Sequence, residues 1–555
     1  MKETIIILGA GVMQGPAIEI AKESGFYTVV LDGSSSAPCI GMADRFEQID
    51  LKDKEGIETF ARSIQGKTSR LGIMTAGTDF SVSVAWTAEK LGLPGIPYQA
   101  ALNASDKARM RECFKKAALP SPEFFTITAA DIQPCIKSFT PLTEAYYRFP
   151  LVIKPVDNMG SRGCRRVDSI DEFEKAAKEA IGFSRSGRAI AENYMDGPEF
   201  SVDAIVYRGE ITICGLADRH IFFPPYFIEM GHTMPTVIEE EKQLSLLETF
   251  RAGVRALGLA GKDNIGAAKG DIKLTLQGPM IGEIAARLSG GYMSGWTYPY
   301  SSGALPVKAA ILMAMGYEPE GLIPQKKWTC AERAFISIPG TVKQLGIKNE
   351  ESGIDNGQLV IKMDYINDFF LRIKEGDKVS FPENNVSKCG NIIASAPERE
   401  TAIAAAENAA RSILIKLDPK DSETKEFLTH TETHQISGLR HREDGNFKFP
   451  PDAFELTDDL RNTLNLLPEF INTANRRYNS WLIIPFNAFQ SSGLKDYMGR
   501  TVEETLDAVR QLTGLPLPIT CENAENKVML GRSFWSALIR GSYQGAVYYI
   551  DTLGV

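Results

Sequence analysis

The chain has 555 residues and a mass of 61.0 kDa. At about 100–200 residues per domain this predicts roughly three to five domains. Hydrophobic residues make up 43% and charged residues 24%, which excludes a mostly disordered, collagen-like or coiled-coil chain. A net charge of −9 and a pI near 5.4 provide no basic field for nucleic acid or an anionic membrane.

Eight cysteines without a Cys-x-x-Cys pair argue against a disulfide framework or a thiolate zinc site and fit a reducing compartment. No segment reaches about 18 consecutive apolar residues. The opening MKETIIILGAG has too short an apolar run for a signal-peptide core. The expectation is a cytoplasmic protein with no membrane or nucleic-acid partner.

In chain order, Ile5–Leu8, Tyr27–Leu31 and Gly72–Thr75 are short apolar runs bounded by glycine or acid. Helical patterns at Ala17–Glu23 and Val84–Leu91 separate them, predicting a parallel α/β sheet. The middle differs. Leu151–Lys154, Arg188–Glu192, Phe200–Val206 and Glu210–Cys214 lie close together, and Phe200, Val202, Ala204 and Val206 alternate with other residues, as in an antiparallel sheet. Gly266–Leu276 and Met280–Arg287 flank Gln-Gly-Pro, which reads as a hairpin. Short strands at Ala334–Ile338, Gln358–Met363 and Asn391–Ser395 precede an alanine-rich helix over Glu398–Ile413. The polar run DPKDSETKE then reads as a linker.

Three constellations carry chemistry. Gly9-x-Gly11-x-x-x-Gly15 follows a strand, and Asp32 closes the next one, as in a dinucleotide fingerprint. The third glycine is one place late, however, with Gln14 in its position. A tight strand-to-helix turn, another ligand contact and an NAD site all remain open. The second constellation is Phe149-Pro-Leu-Val-Ile-Lys154-Pro-Val-Asp-Asn-Met-Gly160-Ser161-Arg162-Gly163. It offers a lysine, free backbone amides and a guanidinium, which suit a polyphosphate; a plain hairpin turn is the alternative. The third is the hairpin, which sets Asp271 and Glu283 across from one another within about two residues. Glu283, Ala285 and Arg287 share a face. Facing carboxylates beside an arginine suit a magnesium-phosphate complex, or else are exposed sheet acids paired with Lys273 or Arg287.

Taken as an ordered series, these pieces resemble the ATP-grasp carboxylate–amine ligases over roughly residues 1–415. The series runs from Leu91-Gly-Leu-Pro-Gly through Ser105-Asp106-Lys107 and Arg109-Met-Arg to the Phe149–Gly163 loop. It continues with Ala191-Glu192-Asn193-Tyr194-Met195-Asp-Gly-Pro-Glu199-Phe-Ser-Val-Asp203 and ends with Asp271…Glu283-Ile-Ala-Ala-Arg287-Leu-Ser-Gly290-Gly291. The resemblance implies an α/β and α+β chain in four parts. These are an N-terminal parallel α/β domain (1–103), an ATP-grasp domain with antiparallel sheets (104–325), a small lid-like domain (326–417) and an extra C-terminal α/β domain (418–555).

It also implies roles. Lys107 and Lys154 contact ATP phosphates, and Gly160, Ser161, Arg162 and Gly163 fold over the β- and γ-phosphates. Glu192 through Met195 form the hinge against adenine, with the backbone of Asn193 and Met195 reading its edge. Glu199 binds the ribose, and Asp271 and Glu283 hold Mg²⁺ (or Mn²⁺). Arg287 stabilises an acyl phosphate or its transition state, so catalysis is assigned to Arg287 and Lys154. Two departures stand out. The first metal position is often Glu and here is Asp271. An Asn often found two residues after the second Glu is Ala285.

The activity implied is ATP-dependent joining of a carboxylate, an amino acid, to an amine through an acyl phosphate, releasing ADP and phosphate. Rival readings are a carboxylase acting through carboxyphosphate, a non-catalytic nucleotide-binding protein, and an NAD-dependent oxidoreductase. On the substrate side, His232 in Phe227-Ile-Glu229-Met-Gly-His232 is either a substrate contact or a structural loop histidine. Ser289, Gly290 and Gly291 either approach the substrate carboxylate or form a flexible turn, and Thr78-Asp79 lies at the same edge of the first sheet.

His430, His434 and His441 read as a solvated segment rather than a metal site. Leu456, Leu460, Leu464 and Leu467 share a helical face, and Trp481–Phe489 and Ala546–Ile550 read as core strands. The C-terminal quarter could shape an acceptor site, build a homodimer or bind a partner.

Overall fold

The computed structural model describes residues 1–138, 148–347, 353–355, 358–360, 362–429, 496–500, 502–514, 537–538 and 541–552. The three distal histidines, the leucine stripe and Trp481–Phe489 lie outside these. The chain divides into two compact units. Unit 1 holds Met1–His220, Gly231–Glu332 and Ser395–Ile403; unit 2 holds Ile221–Met230, Arg333–Ala394 and Ala404–Val555.

Unit 1 begins with β1 (Glu3–Leu8), α1 (Gly15–Glu23), β2 (Tyr27–Asp32), β3 (Arg45–Gln48), α2 (Lys54–Gln65), β4 (Arg70–Thr75) and α3 (Ser81–Leu91). The strands form a parallel sheet in the order β3-β2-β1-β4. Both faces are covered: Ile5 and Ile7 enter one apolar cluster, and Ile6 and Leu8 another. Burial on both faces explains why these strands read as unbroken apolar runs.

Next come α4 (Tyr98–Ser105), α5 (Lys107–Lys116), β5 (Phe124–Ile127), α6 (Ile132–Ser138), β6 (Leu151–Pro155), β7 (Arg165–Val167), α7 (Ile170–Phe183) and β8 (Ala189–Asn193). Their strands form an antiparallel sheet ordered β5-β8-β6-β7. Leu151, Ile153 and Val167 pack on Phe173, Ala176 and Ala177 of α7. Asp106 starts α5, its carboxylate accepting from the amides of Ala108 (2.9 Å) and Arg109 (3.1 Å), an N-cap that presents Lys107 at the first helical position.

The second sheet of unit 1 contains β9 (Glu199–Tyr207), β10 (Glu210–Phe222), β11 (Ile228–Met234), β12 (Ile265–Thr275) and β13 (Gly278–Ala285), in the order β13-β12-β9-β10-β11. Helix α8 (Glu240–Ala256) lies against one face, where Leu246, Phe250 and Val254 meet Phe200, Val202, Ala268, Ile281 and Ile284. Its close approach requires two glycines. A Cβ on Gly253 would stand 2.6 Å from Ile284 Cδ1, and one on Gly270 would stand 2.5 Å from Phe250 Cδ2. Helices α9 (Tyr298–Ser302) and α10 (Pro306–Ala314) follow, then β14 (Thr329–Phe335). His232, expected in a loop, lies in strand β11.

Unit 2 contains β15 (Gly340–Ile347), β16 (Gly353–Asp355), β17 (Gln358–Val360), β18 (Ile366–Leu371), β19 (Lys378–Val379), most of β20 (Gly390–Ala396), the C-terminal part of α11 (Arg399–Ser412), β21 (Ile413–Leu417), α12 (Ser422–Thr429) and α13 (Val502–Thr513). Strands β19-β15-β21 form one sheet, β16 and β17 a hairpin, and β18 pairs with β20.

Two expectations fail here. The run read as a linker becomes α12, because Asp421 caps it, accepting from the Glu423 amide at 2.9 Å, and Leu428 enters the core. Ala546–Ile550 lies in a helix over 541–552, since a short apolar run does not distinguish a buried helix from a strand. Tyr497, Met498 and Tyr548 share one core with Ile338, Leu345 and Leu417. A boundary at 417 therefore runs through this core.

Asp496 anchors that arrangement. It is fully buried and accepts from the amides of Met498 and Arg500, each at 2.8 Å, and from the Ser542 hydroxyl. Arg500, 3.4 Å away, donates to the carbonyls of Arg411 and Ile413, both at 2.9 Å. Asp496→Ala leaves the Arg500 charge buried without its acid and should cost roughly 3–5 kcal/mol in urea unfolding of unit 2. A change within about 0.5 kcal/mol, the range of ordinary surface substitutions, would contradict this packing.

Candidate active site

The site is built on the face of the second sheet opposite α8. The pairing register sets Glu199 beside Lys273, Ser201 beside Asp271 and Asp203 beside Lys269. It also sets Asp271 directly across from Glu283. Directly paired residues in an antiparallel sheet project to the same side, so one face collects these charges while Phe200, Val202 and Ile284 fill the other. A bulge between Asp271 and Ile272 bends the hairpin at this point.

The cations and carboxylates interlock. Lys107 Nζ donates to the Asn158 carbonyl at 2.8 Å and lies 3.5 Å from Glu283 Oε1, which ties the glycine loop to the hairpin. Burial opposes ionisation of Glu283, yet Lys107, Lys154, Lys269 and Arg287 hold its carboxyl down at about 2. Burial likewise works against the Lys107 charge, but Glu283 and Asp79 more than offset it and raise its pKa. Asp271 pairs with Lys269 and with Arg219, the latter at 3.0 Å. Glu199 pairs with Arg219 and stands 3.9 Å from Lys273.

On the first antiparallel sheet, Val152 faces Glu192 across β6 and β8. Lys154, two residues along on the same side, reaches Glu192 Oε2 at 2.7 Å. Arg111 from α5 grips the other oxygen at 2.7 Å and donates to the Gly282 carbonyl at 2.6 Å. Glu192 is 2% exposed. Its burial would raise its pKa, but Arg111 and Lys154 lower it. Arg111, 81 residues away in sequence, closes the Arg109-Met-Arg stretch of the quoted series but had no role assigned to it.

The Gly160–Gly163 loop holds three left-handed residues, with φ of +68° at Gly160, +59° at Ser161 and +68° at Gly163. Arg162 donates from Nε to the Met159 carbonyl at 3.1 Å. At the end of β8 the Asn193 amide donates to the Glu123 carbonyl at 3.0 Å, and the Met195 amide carries no hydrogen bond among the described residues.

His232 is 2% exposed, its Nδ1 3.0 Å from Glu332, so it sits in a buried pair. Arg287 donates to the Leu288 carbonyl at 3.1 Å. Its Nε is buried without a partner among the described residues. Ser289 is 2% exposed and donates its hydroxyl to Asp203 at 2.5 Å. Gly290 abuts the turn after β4: a Cβ there would stand 3.0 Å from the Gly77 carbonyl.

Asp203, Lys269, Arg111 and Arg219 belong to this constellation without a prior role. Strand alternation puts Asp203 on the same face as Asp271, and this parity was the available signal. The first glycine turn closes on itself. Gln14 accepts from the Gly11 amide at 3.0 Å and donates to the Ala76 carbonyl at 2.5 Å, while Asp32 takes the Ala10 amide at 2.9 Å. Amides that a dinucleotide would need are already used.

Asp271 and Glu283 supply hard oxygen donors from facing positions, and Mg²⁺ is commonly held by one or two carboxylates plus phosphate. No group of three or more His, Cys, Asp or Glu side chains able to hold a metal occurs among the described residues. Ala285 removes the neutral oxygen. The pair therefore fits a cation whose shell is completed by a phosphate and water, not a self-sufficient cage. No helix among the described residues is long and apolar enough to cross a membrane.

Residues 147–294 match the family model described as an ATP-grasp domain, and 352–418 that described as L-amino acid ligase C-terminal domain 2. The chain thus holds one segment that matches an ATP-grasp domain and, after it, one that matches an L-amino acid ligase C-terminal domain. Carnosine synthase 1 of Gallus gallus is 24% identical over 336 residues, 57% of this chain and 36% of that protein. D-alanine–D-alanine ligase B of Pseudomonas putida is 25% identical over 177 residues, 30% of this chain and 52% of that protein. The chain thus spans about a third and about half of these two relatives. The crystal structure of an L-amino acid ligase from Bacillus licheniformis matches with a TM-score of 0.63 at 21% identity, covering 75% of this chain and 99% of that one. This likeness establishes the shared fold.

Burial raises the Asp203 carboxyl to about 6 against the hydrogen bonds from Ser289. Its proton is held more tightly in the folded state than in the unfolded one. Its contribution to stability is therefore complete below an unfolded value near 3.9 and lost as pH rises through about 6. The melting temperature of Asp203→Asn relative to wild type should rise between about pH 4 and 7. A difference independent of pH would contradict this environment.

Proposed function

We propose that this chain is an ATP-dependent ligase that joins a carboxylate, an amino acid, to an amine through an acyl phosphate and releases ADP and phosphate. The observation that carries the reading is Glu283 facing Asp271 across the hairpin within a set of four cations, Lys107, Lys154, Lys269 and Arg287. The matched ATP-grasp domain and L-amino acid ligase C-terminal domain support it, as do relatives named carnosine synthase and D-alanine–D-alanine ligase.

The reaction needs positioning and charge neutralisation rather than a side-chain nucleophile. A substrate carboxylate oxygen attacks the γ-phosphorus of ATP, the bond to the bridging oxygen breaks, and ADP departs. The amine nitrogen then attacks the acyl carbon, phosphate leaves, and the amine gives up its proton. In this reading Lys107 and Lys154 neutralise the phosphates and the Gly160–Gly163 loop covers them. The Met195 amide reads the adenine edge, and Glu199, once released from Arg219, takes the ribose. Arg287 offsets charge on the acyl phosphate. Asp271 and Glu283 would hold Mg²⁺ or Mn²⁺, which supplies Lewis-acid stabilisation of the phosphate oxygens. The partners are small molecules, a carboxylate and an amine.

Amino-acid pairs incubated with ATP and Mg²⁺ should give ADP and phosphate release that depends on the amine, with a coupled product seen by mass spectrometry. AMP release would contradict the acyl-phosphate route, and bicarbonate-stimulated ATP hydrolysis without an amine would favour a carboxylase. Glu283→Gln should lower kcat by at least about a hundredfold while ATP still binds. An unchanged rate would remove Glu283 from the metal site.

A further inference from the structure

Asp203 carries none of the roles above, yet it is the fully buried carboxylate on the charged sheet face. Its Oδ2 accepts from the Ser289 hydroxyl at 2.5 Å and from the Ser289 amide at 3.3 Å. Oδ1 is buried without a partner among the described residues. A carboxylate kept in such a place costs stability unless its bonds hold something in position. What it holds is the start of one loop. Ser289 is clamped a second time, its carbonyl accepting from the Ser294 hydroxyl at 2.7 Å. Tyr292 and Gly291 then turn through left-handed conformations, with φ of +64° and +60°.

Between these clamps, the amides of Gly290 and Gly291 carry no hydrogen bond among the described residues. Arg287 stands two residues before Ser289, and its charge is among those that act on Asp203. Two adjacent free amides beside a guanidinium form an anion-binding concavity. The Ser289 hydroxyl is not available to that concavity, because its hydrogen is committed to Asp203.

We propose that Asp203 is a positioning residue which, through Ser289, fixes the 287–291 segment so that Arg287 and the amides of Gly290 and Gly291 meet the substrate carboxylate and its acyl phosphate. This rests on the ligase reading above. It also assigns Ser289 to the scaffold rather than to substrate contact.

The test uses the full chain with Asp203→Ala, Ser289→Ala, the double variant and Asp203→Asn, read in two independent ways. Hydrogen exchange should speed up by about tenfold or more at the bonded amides that flank the free pair, those at positions 289 and 293, in either alanine variant, the loss expected for a hydrogen bond to a charged group. The β9 and β12 amides should keep their protection. Asp203→Asn keeps an oxygen acceptor for the serine hydroxyl and should restore much of the protection. In turnover, KM for the carboxylate should rise about tenfold in each alanine variant, with KM for ATP within about twofold. The double variant should be no worse than the poorer single one, because the two side chains act as a unit.

Unchanged exchange at positions 289 and 293, or losses that add in the double variant, would overturn the proposal. Should the wild-type chain show no amine-dependent turnover, the ligase reading fails while the exchange result still decides the role of Asp203. Should Asp203→Ala not fold, Ser289→Ala and Asp203→Asn give the same two readings.

Discussion

Side chains alternate across β9, β12 and β13 with a period of two, and the charged face of this sheet depends on where that alternation is fixed. In the observed register Glu199, Asp203, Asp271 and Glu283 point away from α8, while Phe200, Val202 and Ile284 pack against it. A slip of one residue would bury four carboxylates against α8 and expose the apolar residues to water. The apolar face therefore does more than stabilise the sheet, because it determines which side the charged residues occupy.

With the sheet fixed, the charges constrain one another. Glu283 collects four cations, and two of these, Lys107 and Lys154, come from the neighbouring substructure of α5 and β6. Lys154 is itself oriented by Glu192, which Arg111 grips from the other side while bonding to the Gly282 carbonyl. Ion pairs and one bond to a backbone carbonyl thus tie Glu192, Lys154 and Lys107 to the carboxylate hairpin. Arg219, shared by Glu199 and Asp271, joins the residues proposed for ribose and for metal. In this arrangement both acids are occupied by cationic side chains. In the proposed reading, nucleotide and metal binding would therefore exchange ion pairs rather than fill a site of bare negative charge.

Much of this was legible in the sequence because the signals are local. Gln-Gly-Pro marks a turn, so the facing of Asp271 and Glu283 follows from counting residues outward. The apolar runs of β1, β2 and β4 announce a sheet buried on both sides. Other features depend on distant contacts. Arg111 and Glu192 meet across 81 residues, and Asp203 and Ser289 across 86, with nothing in either neighbourhood to name the partner. His232 stood between residues that read as a loop, and its strand exists because of its neighbours in the sheet. The polar run after Leu417 looked like a linker, since composition gave no hint that Asp421 would cap a helix and Leu428 anchor it. Ala546–Ile550 was misread for the opposite reason, because a fully apolar stretch has no face from which to judge its period.

In the proposed reaction a carboxylate oxygen becomes bonded to the γ-phosphorus of ATP, and isotope transfer reports this directly. A carboxylate substrate labelled with ¹⁸O should be turned over with ATP, Mg²⁺ and the amine, and the inorganic phosphate analysed by mass spectrometry. One ¹⁸O atom should appear in the phosphate for each coupled product. Label appearing in AMP, or phosphate released without label while product forms, would contradict it.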